Sequence, residues 1–211
     1  MGTFNPHSAV KYAWANIGNG HRNPAFPRTR NGNDCTNFVS QCMYAGGWTM
    51  IPGDRNYFAK RDANVWWCDT GPNVQSGEIS WAWAGAPEFA QFVLNSKRGV
   101  ELWRSTGFDV TKAQKLHPGD VLGQASPGSS TYAELGHLCI VLEVFSDPKR
   151  SLIGQHSGHR GSPVSFDALK SDTTHVWYAW RMHRNYPDLP QPQSRGTVIP
   201  IKGDYIPYVH R

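Results

Sequence analysis

Asn33-Asp34-Cys35-Thr36-Asn37-Phe38-Val39-Ser40-Gln41-Cys42, closing on Gly46-Gly47, opens with residues that start helices and continues with apolar side chains at helical spacing. Cys35, Phe38, Val39, Cys42 and Met43 fall on one face, so the segment reads as a helix with a thiol in its first turn. The unpaired N–H groups of a helix start carry partial positive charge, which stabilises a thiolate and lowers a cysteine pKa from about 8.5. Cys35 is therefore a candidate nucleophile. Asp34 is expected to cap the helix rather than act in catalysis, because a carboxylate beside a developing oxyanion would repel it.

Working outward, Asn5 to Ile17 reads as a helix with Pro6 in its first turn, ended by Gly18-Asn19-Gly20. Residues 21–32 are rich in Pro, Arg, Asn and Gly and read as irregular surface chain. Residues 48–84 hold Trp48, Trp66, Trp67, Trp81 and Trp83 without sustained periodicity, which predicts a packed loop region with short helical or strand pieces. Ala86 to Ser96 reads as a second substantial helix. Beyond it the period changes to that of strands: Val100 to Trp103, Val121 to Gln124, His137 to Phe145, Ser151 to His156 and His175 to Met182. Helices first and antiparallel strands after argue for an α+β domain over residues 1–185, with the cysteine helix packed on a small sheet. Residues 186–211 read as an extended tail rich in proline.

The bulk numbers restrict function without choosing it. At 211 residues, 39% hydrophobic and 18% charged, the chain can bury a substantial core and does not have the composition of a disordered polymer. No apolar run reaches the ~18 residues of a membrane span, so membrane insertion is not expected. A formal charge of +5 favours an anionic partner such as a cell-wall polymer, but Lys and Arg are scattered and no nucleic-acid tract stands out. The four cysteines form no C-x-x-C pair, so no metal site or cofactor is expected, and Cys42 and Cys139 read as buried apolar fillers. His156 and His159 form an H-x-x-H pair, but Gly158 argues against the helix that sharing a metal would need.

A cysteine nucleophile needs a base within hydrogen-bond reach, and the base needs an orienting partner. Among nine histidines, His137 opens the strongest strand and follows Gly136, where a side chain can project toward a helix tip. If Ser146 to Lys149 form the hairpin loop, Phe145 faces Arg150 and the pairing steps back to set His156 opposite Cys139. His156 then shares a face with His137, while His159 falls on the other. A bulge would reverse that preference.

Asp34-Cys35-Thr36-Asn37-Phe38-Val39-Ser40-Gln41-Cys42 with Tyr44-Ala45-Gly46-Gly47 resembles the signature of the putative amidase domain family, within the papain-like and NlpC-type cysteine peptidase superfamily. Further pieces match in order: the Phe4-Asn5 helix, Ser80-Trp81, Pro118-Gly119-Asp120-Val121, Gly136-His137 and Gln155-His156-Ser157. The resemblance covers roughly residues 4–181. It implies Cys35 as nucleophile, His137 as base and His156 as the polar third residue, on an α+β, papain-like/NlpC-like fold.

The expected activity is hydrolysis of amide bonds through a thioester, with peptidoglycan stem peptides as the substrate class. The oxyanion would be held by the Cys35 N–H and an upstream donor, Asn33 or Asn31, and Trp81 is the first choice for lining the substrate groove. Two other readings use the same residues or fold: an acyl transferase or deamidase, and a non-catalytic wall-binding module. The N-terminus lacks the charged-then-apolar order of a secretory signal. The expected location is therefore reached by export without a signal peptide or as a mature secreted form, with the cytoplasm as the remaining alternative. An antibacterial effector would also have an immunity protein as partner.

Overall fold

The computed structural model describes residues 1–17, 22–29, 34–72, 74, 76–157 and 162–187. The chain enters through a short strand, β1 (Gly2–Thr3), and helix α1 (Pro6–Asn16). Asn5 caps α1, its side-chain oxygen accepting from the N–H groups of His7 and Ser8. Helix α2 (Cys35–Ala45) follows, and every residue from Cys35 to Met43 is buried. Such a helix must satisfy its polar side chains internally. Ser40 donates to the Trp83 carbonyl and accepts from the Trp66 indole, and Gln41 accepts from the Tyr12 hydroxyl. Asn37 accepts from the Trp83 indole and donates to the Pro27 carbonyl.

The tryptophan-rich segment is packed chain with two short helices, α3 (Tyr57–Lys60) and α4 (Trp81–Ala84), as its mixed composition predicts. Isolated bridges pair Ile51 with Trp66 and Cys68 with Ile79. Helix α5 (Ala86–Asn95) leads into the sheet strands β2 (Gly99–Thr106), β3 (Val121–Ala125), β4 (Leu135–Glu143), β5 (Leu152–Gly154), β6 (Val164–Ser165) and β7 (Val176–Met182). Helices α6 (Val110–Ala113) and α7 (Phe166–Leu169) lie between strands, and β8 (Asn185–Tyr186) closes the described chain. The six long-sheet strands are antiparallel throughout, in the order β2-β7-β3-β4-β5-β6. The fold is α+β, as the order of patterns implies.

Alternation along the strands assigns the two sheet faces. Val121, Leu138, Ile140, Leu142, Tyr178 and Trp180 pack with α1, α2, α4 and α5 in the main core. Leu122, Cys139, Val141, Ile153, Trp177 and Ala179 pack with Phe108, Phe166 and Leu169 in a smaller one. The main body continues through Tyr186, which is 1% exposed and belongs to β8, paired with β1. From residue 188 the expected tail lies outside the described residues.

Gly47 ends α2 with φ +102°, where a Cβ would lie 2.8 Å from the Thr3 carbonyl oxygen. Gly47→Ala is therefore expected to cost about 1–2 kcal/mol through backbone strain and that contact, measurable as a lower midpoint in urea.

Candidate active site

Cys35 is the first residue of α2 and lies at the strand end of β4, its Sγ 4.0 Å from the Gly136 carbonyl oxygen. His137 faces the same cleft as the thiol and interacts with it electrostatically. Its Nε2 meets the Gln155 side-chain oxygen at 2.8 Å, which leaves Nδ1 for the sulfur. The side chains thus form a line, Cys35, His137 and Gln155, in which a thiol meets an imidazole and the imidazole meets an orienting amide. A Cβ added at Gly136 would meet nothing within 4 Å, so the approach beside the thiol is open.

The electrostatics follow from that line. Burial alone would push the Cys35 thiol up, but the His137 hydrogen bond and charge, with the Leu138 N–H and the Thr36 hydroxyl, hold it below its ordinary value. Burial likewise opposes charge on His137, and the Cys35 contact together with Gln155 raises it above the ordinary histidine value. The pair therefore favours thiolate and imidazolium. Cys42, Cys68 and Cys139 are pushed up by burial. All four cysteines are free, so Cys35 is the one prepared for nucleophilic chemistry.

His156 does not orient His137. Its Nδ1 lies 2.9 Å from Asp34 Oδ2, its Nε2 lies 2.7 Å from the Asn16 carbonyl oxygen, and its ring stacks on Phe38 at 4.0 Å between centroids. The cause is a β-bulge. Glu143 pairs with Leu152, as the four-residue hairpin loop requires, but Val141 then pairs with Ile153 and Ile140 with Gly154. The extra residue in β4 slips the register by one, so Gln155 instead of His156 comes to the His137 face. His159, the residue that a bulge would favour in place of His156, lies outside the described residues.

Asp34 also departs from expectation. It occupies the N-cap position of α2, yet its side chain makes no capping bond to the helix. Its carboxylate accepts from Thr29 and Asn37 and meets His156, while Ser157 Oγ accepts from its backbone N–H at 2.8 Å. The first N–H groups of α2 are thereby left uncapped beside the thiol. Gln155, His156 and Ser157 thus act in series: the first holds the imidazole, and the next two hold the residue preceding the thiol.

Cys35, His137 and Gln155 open onto a cleft of about 620 Å3 whose further wall includes Gln124, Asp172 and His175. Trp81 does not line it. Its ring lies against Tyr57, 5.9 Å between centroids, with the Arg61 guanidinium 4.5 Å from its centroid. Asn31 and Asn33 lie outside the described residues. Among the described residues no group of His, Cys, Asp and Glu is arranged to hold a metal ion.

The sequence profile of a family described as "Putative amidase domain" matches residues 3–180, which includes every described part of the cleft. The chain belongs to this family. The chain is also similar to the uncharacterized protein YhbB of Bacillus subtilis (strain 168), at 35% identity over 101 residues. That alignment covers 48% of this chain and 26% of the relative, so it spans about a quarter of the relative's length. No solved structure matches the chain. In this amidase-domain chain, Gln155 is the site residue that side-chain chemistry alone missed; its signal was its place beside His156 in the Gln155-His156-Ser157 motif.

Proposed function

We propose that this amidase-domain protein is a cysteine-dependent amide hydrolase of the papain-like and NlpC-type, acting on peptide bonds of peptidoglycan stem peptides. The observation that carries the reading is the line Cys35, His137, Gln155 opening onto one cleft, with Gln155 hydrogen-bonded to the imidazole. Its topology supports the superfamily, since a thiol at a helix start meets an imidazole from an antiparallel strand. The substrate class draws on the resemblance of the motifs and on the +5 charge, which suits an anionic wall.

Cys35 thiolate attacks the amide carbonyl and forms a C–S bond, and the oxyanion is held by the uncapped Cys35 N–H. His137 imidazolium, oriented by Gln155, passes its proton to the nitrogen as the C–N bond breaks. Neutral His137 then takes a proton from water, whose oxygen attacks the thioester and releases the acid. Digestion of purified peptidoglycan by the parent and by Cys35→Ala, with fragment masses read out, tests this. New amine and carboxyl termini are expected from the parent only. Intact wall with the parent, or equal cleavage by Cys35→Ala, overturns the reading.

A further inference from the structure

The cleft wall beyond the thiol carries a feature that amide hydrolysis does not use. Gln124 on β3 is paired directly with His137 on β4 and with Trp177 on β7, so these three residues form a row across one sheet face. Gln124 Nε2 donates to Asp172 Oδ2 at 2.6 Å, and the Trp177 indole donates to the same oxygen at 3.0 Å. The backbone N–H groups of Thr174 and His175 donate to Oδ1, and His175 Nδ1 lies 3.0 Å from it. Among the described residues no lysine or arginine pairs with this carboxylate. Its side chain is 11% exposed and lines the cleft, while the His175 side chain, 42% exposed, stands beside it.

The Gln124 amide, the Trp177 indole and the two backbone N–H groups orient the carboxylate and stabilise its charge without cancelling it. Burial opposes that charge, but the His175, Gln124 and Trp177 contacts hold the Asp172 carboxyl at about 2, so it is ionised at any working pH. The thiolate and imidazolium of Cys35 and His137 compensate one another. Asp172 is then the one carboxylate in the described wall of the cleft, in a chain whose formal charge is +5.

We propose that Asp172, with Gln124 and His175, forms a subsite that selects substrates carrying a cationic, ammonium-bearing group near the scissile amide. The subsite deepens the reading of Cys35 as the nucleophile and rests on it. Asp172 acts on specificity through its field, and His175 and Gln124 position it. Substrates with a free amine are preferred over those whose amine is acylated or replaced by a carboxylate.

The test uses Cys35 itself as the reporter. Rates of thiol modification by a cationic and an anionic methanethiosulfonate of equal size are measured at low salt on the whole protein, each normalised to its rate with glutathione. At a separation of about 10 Å and an effective dielectric constant of about 40, one unit charge changes each rate roughly fourfold in opposite senses. The parent is expected to prefer the cation, with the preference shrinking as salt is added. In Asp172→Asn the cation-to-anion ratio should fall by the product of the two changes, roughly sixteenfold. A parent that prefers the anion at low salt overturns the subsite even if the variant does not fold, and so does a folded variant with the parent's ratio. Peptidoglycan digestion by the same preparations separates the two proposals. Failure to digest with the ratio as expected removes the hydrolase reading alone, and digestion with an unmoved ratio removes the subsite alone.

Discussion

His137→Ala is expected to lower kcat/KM for amide hydrolysis by about a thousandfold while leaving the fold intact. Two losses combine. The variant has no group to protonate the leaving nitrogen, a contribution of about 10²- to 10⁴-fold where it has been measured in enzymes. It also lacks the charge that stabilises the thiolate, because the main influence lowering the Cys35 pKa is the His137 contact. Burial then acts on the thiol with less opposition, so its pKa should rise above that of the parent. The rate of iodoacetamide alkylation against pH reads this directly. Parent Cys35 should react below the ordinary thiol range, and the variant profile should move to higher pH. For the parent, kcat/KM should rise as the thiol ionises and fall as the raised His137 loses its proton, the two limbs belonging to the coupled pair. An unchanged alkylation profile in a folded His137→Ala protein would show that the two groups do not act together.

The parts of the fold set by local pattern were legible in the sequence. Asn5 and Pro6 start α1, the apolar repeat from Cys35 to Met43 forms α2, and the run about Ile140 forms β4, because each depends on residues near in sequence. The pairing of thiol and imidazole was legible too, since a helix start and a strand end are recognisable positions. What depended on register was not. One bulged residue between Val141 and Glu143 exchanges His156 for Gln155, and no composition or periodicity marks it. Asp34 departs from its expected cap for a related reason. N-cap preference is a local tendency, whereas the carboxylate is claimed by His156 from the chain just beyond β5, 122 positions away. An aromatic face suits a substrate, which points to Trp81, but packing decides its place: it meets Tyr57 and Arg61 outside the cleft. Asp172 and Gln124 were invisible because neither belongs to a motif, and their contact joins β3 to the turn before β7.

Gln155→Ala and His156→Ala should fail in different ways, and the contrast tests the assignment the bulge makes. Gln155 holds Nε2 of His137. Its truncation should lower kcat about 10- to 100-fold through misorientation of the imidazole, with little change in melting temperature. His156 lies in the buried network that joins Asp34, the Asn16 carbonyl and the Phe38 ring. Removing it strips a partner from a buried carboxylate and leaves a cavity beside Phe38, at a cost of about 3 kcal/mol. The loss should also depend on pH. Burial pushes Asp34 up, but the His156 bond, with Asn37 and Arg22, holds it below its ordinary 3.8. A depressed carboxylate stabilises the fold above its ordinary value and loses that contribution as pH falls through its folded value. Without His156 the depression shrinks, so acid unfolding should begin at higher pH in His156→Ala than in the parent. Gln155→Ala should unfold in acid as the parent does. If His156→Ala instead melted normally and lost activity in proportion to Gln155→Ala, His156 would belong to the reacting line, and the register set by the bulge at Leu142 would be wrong.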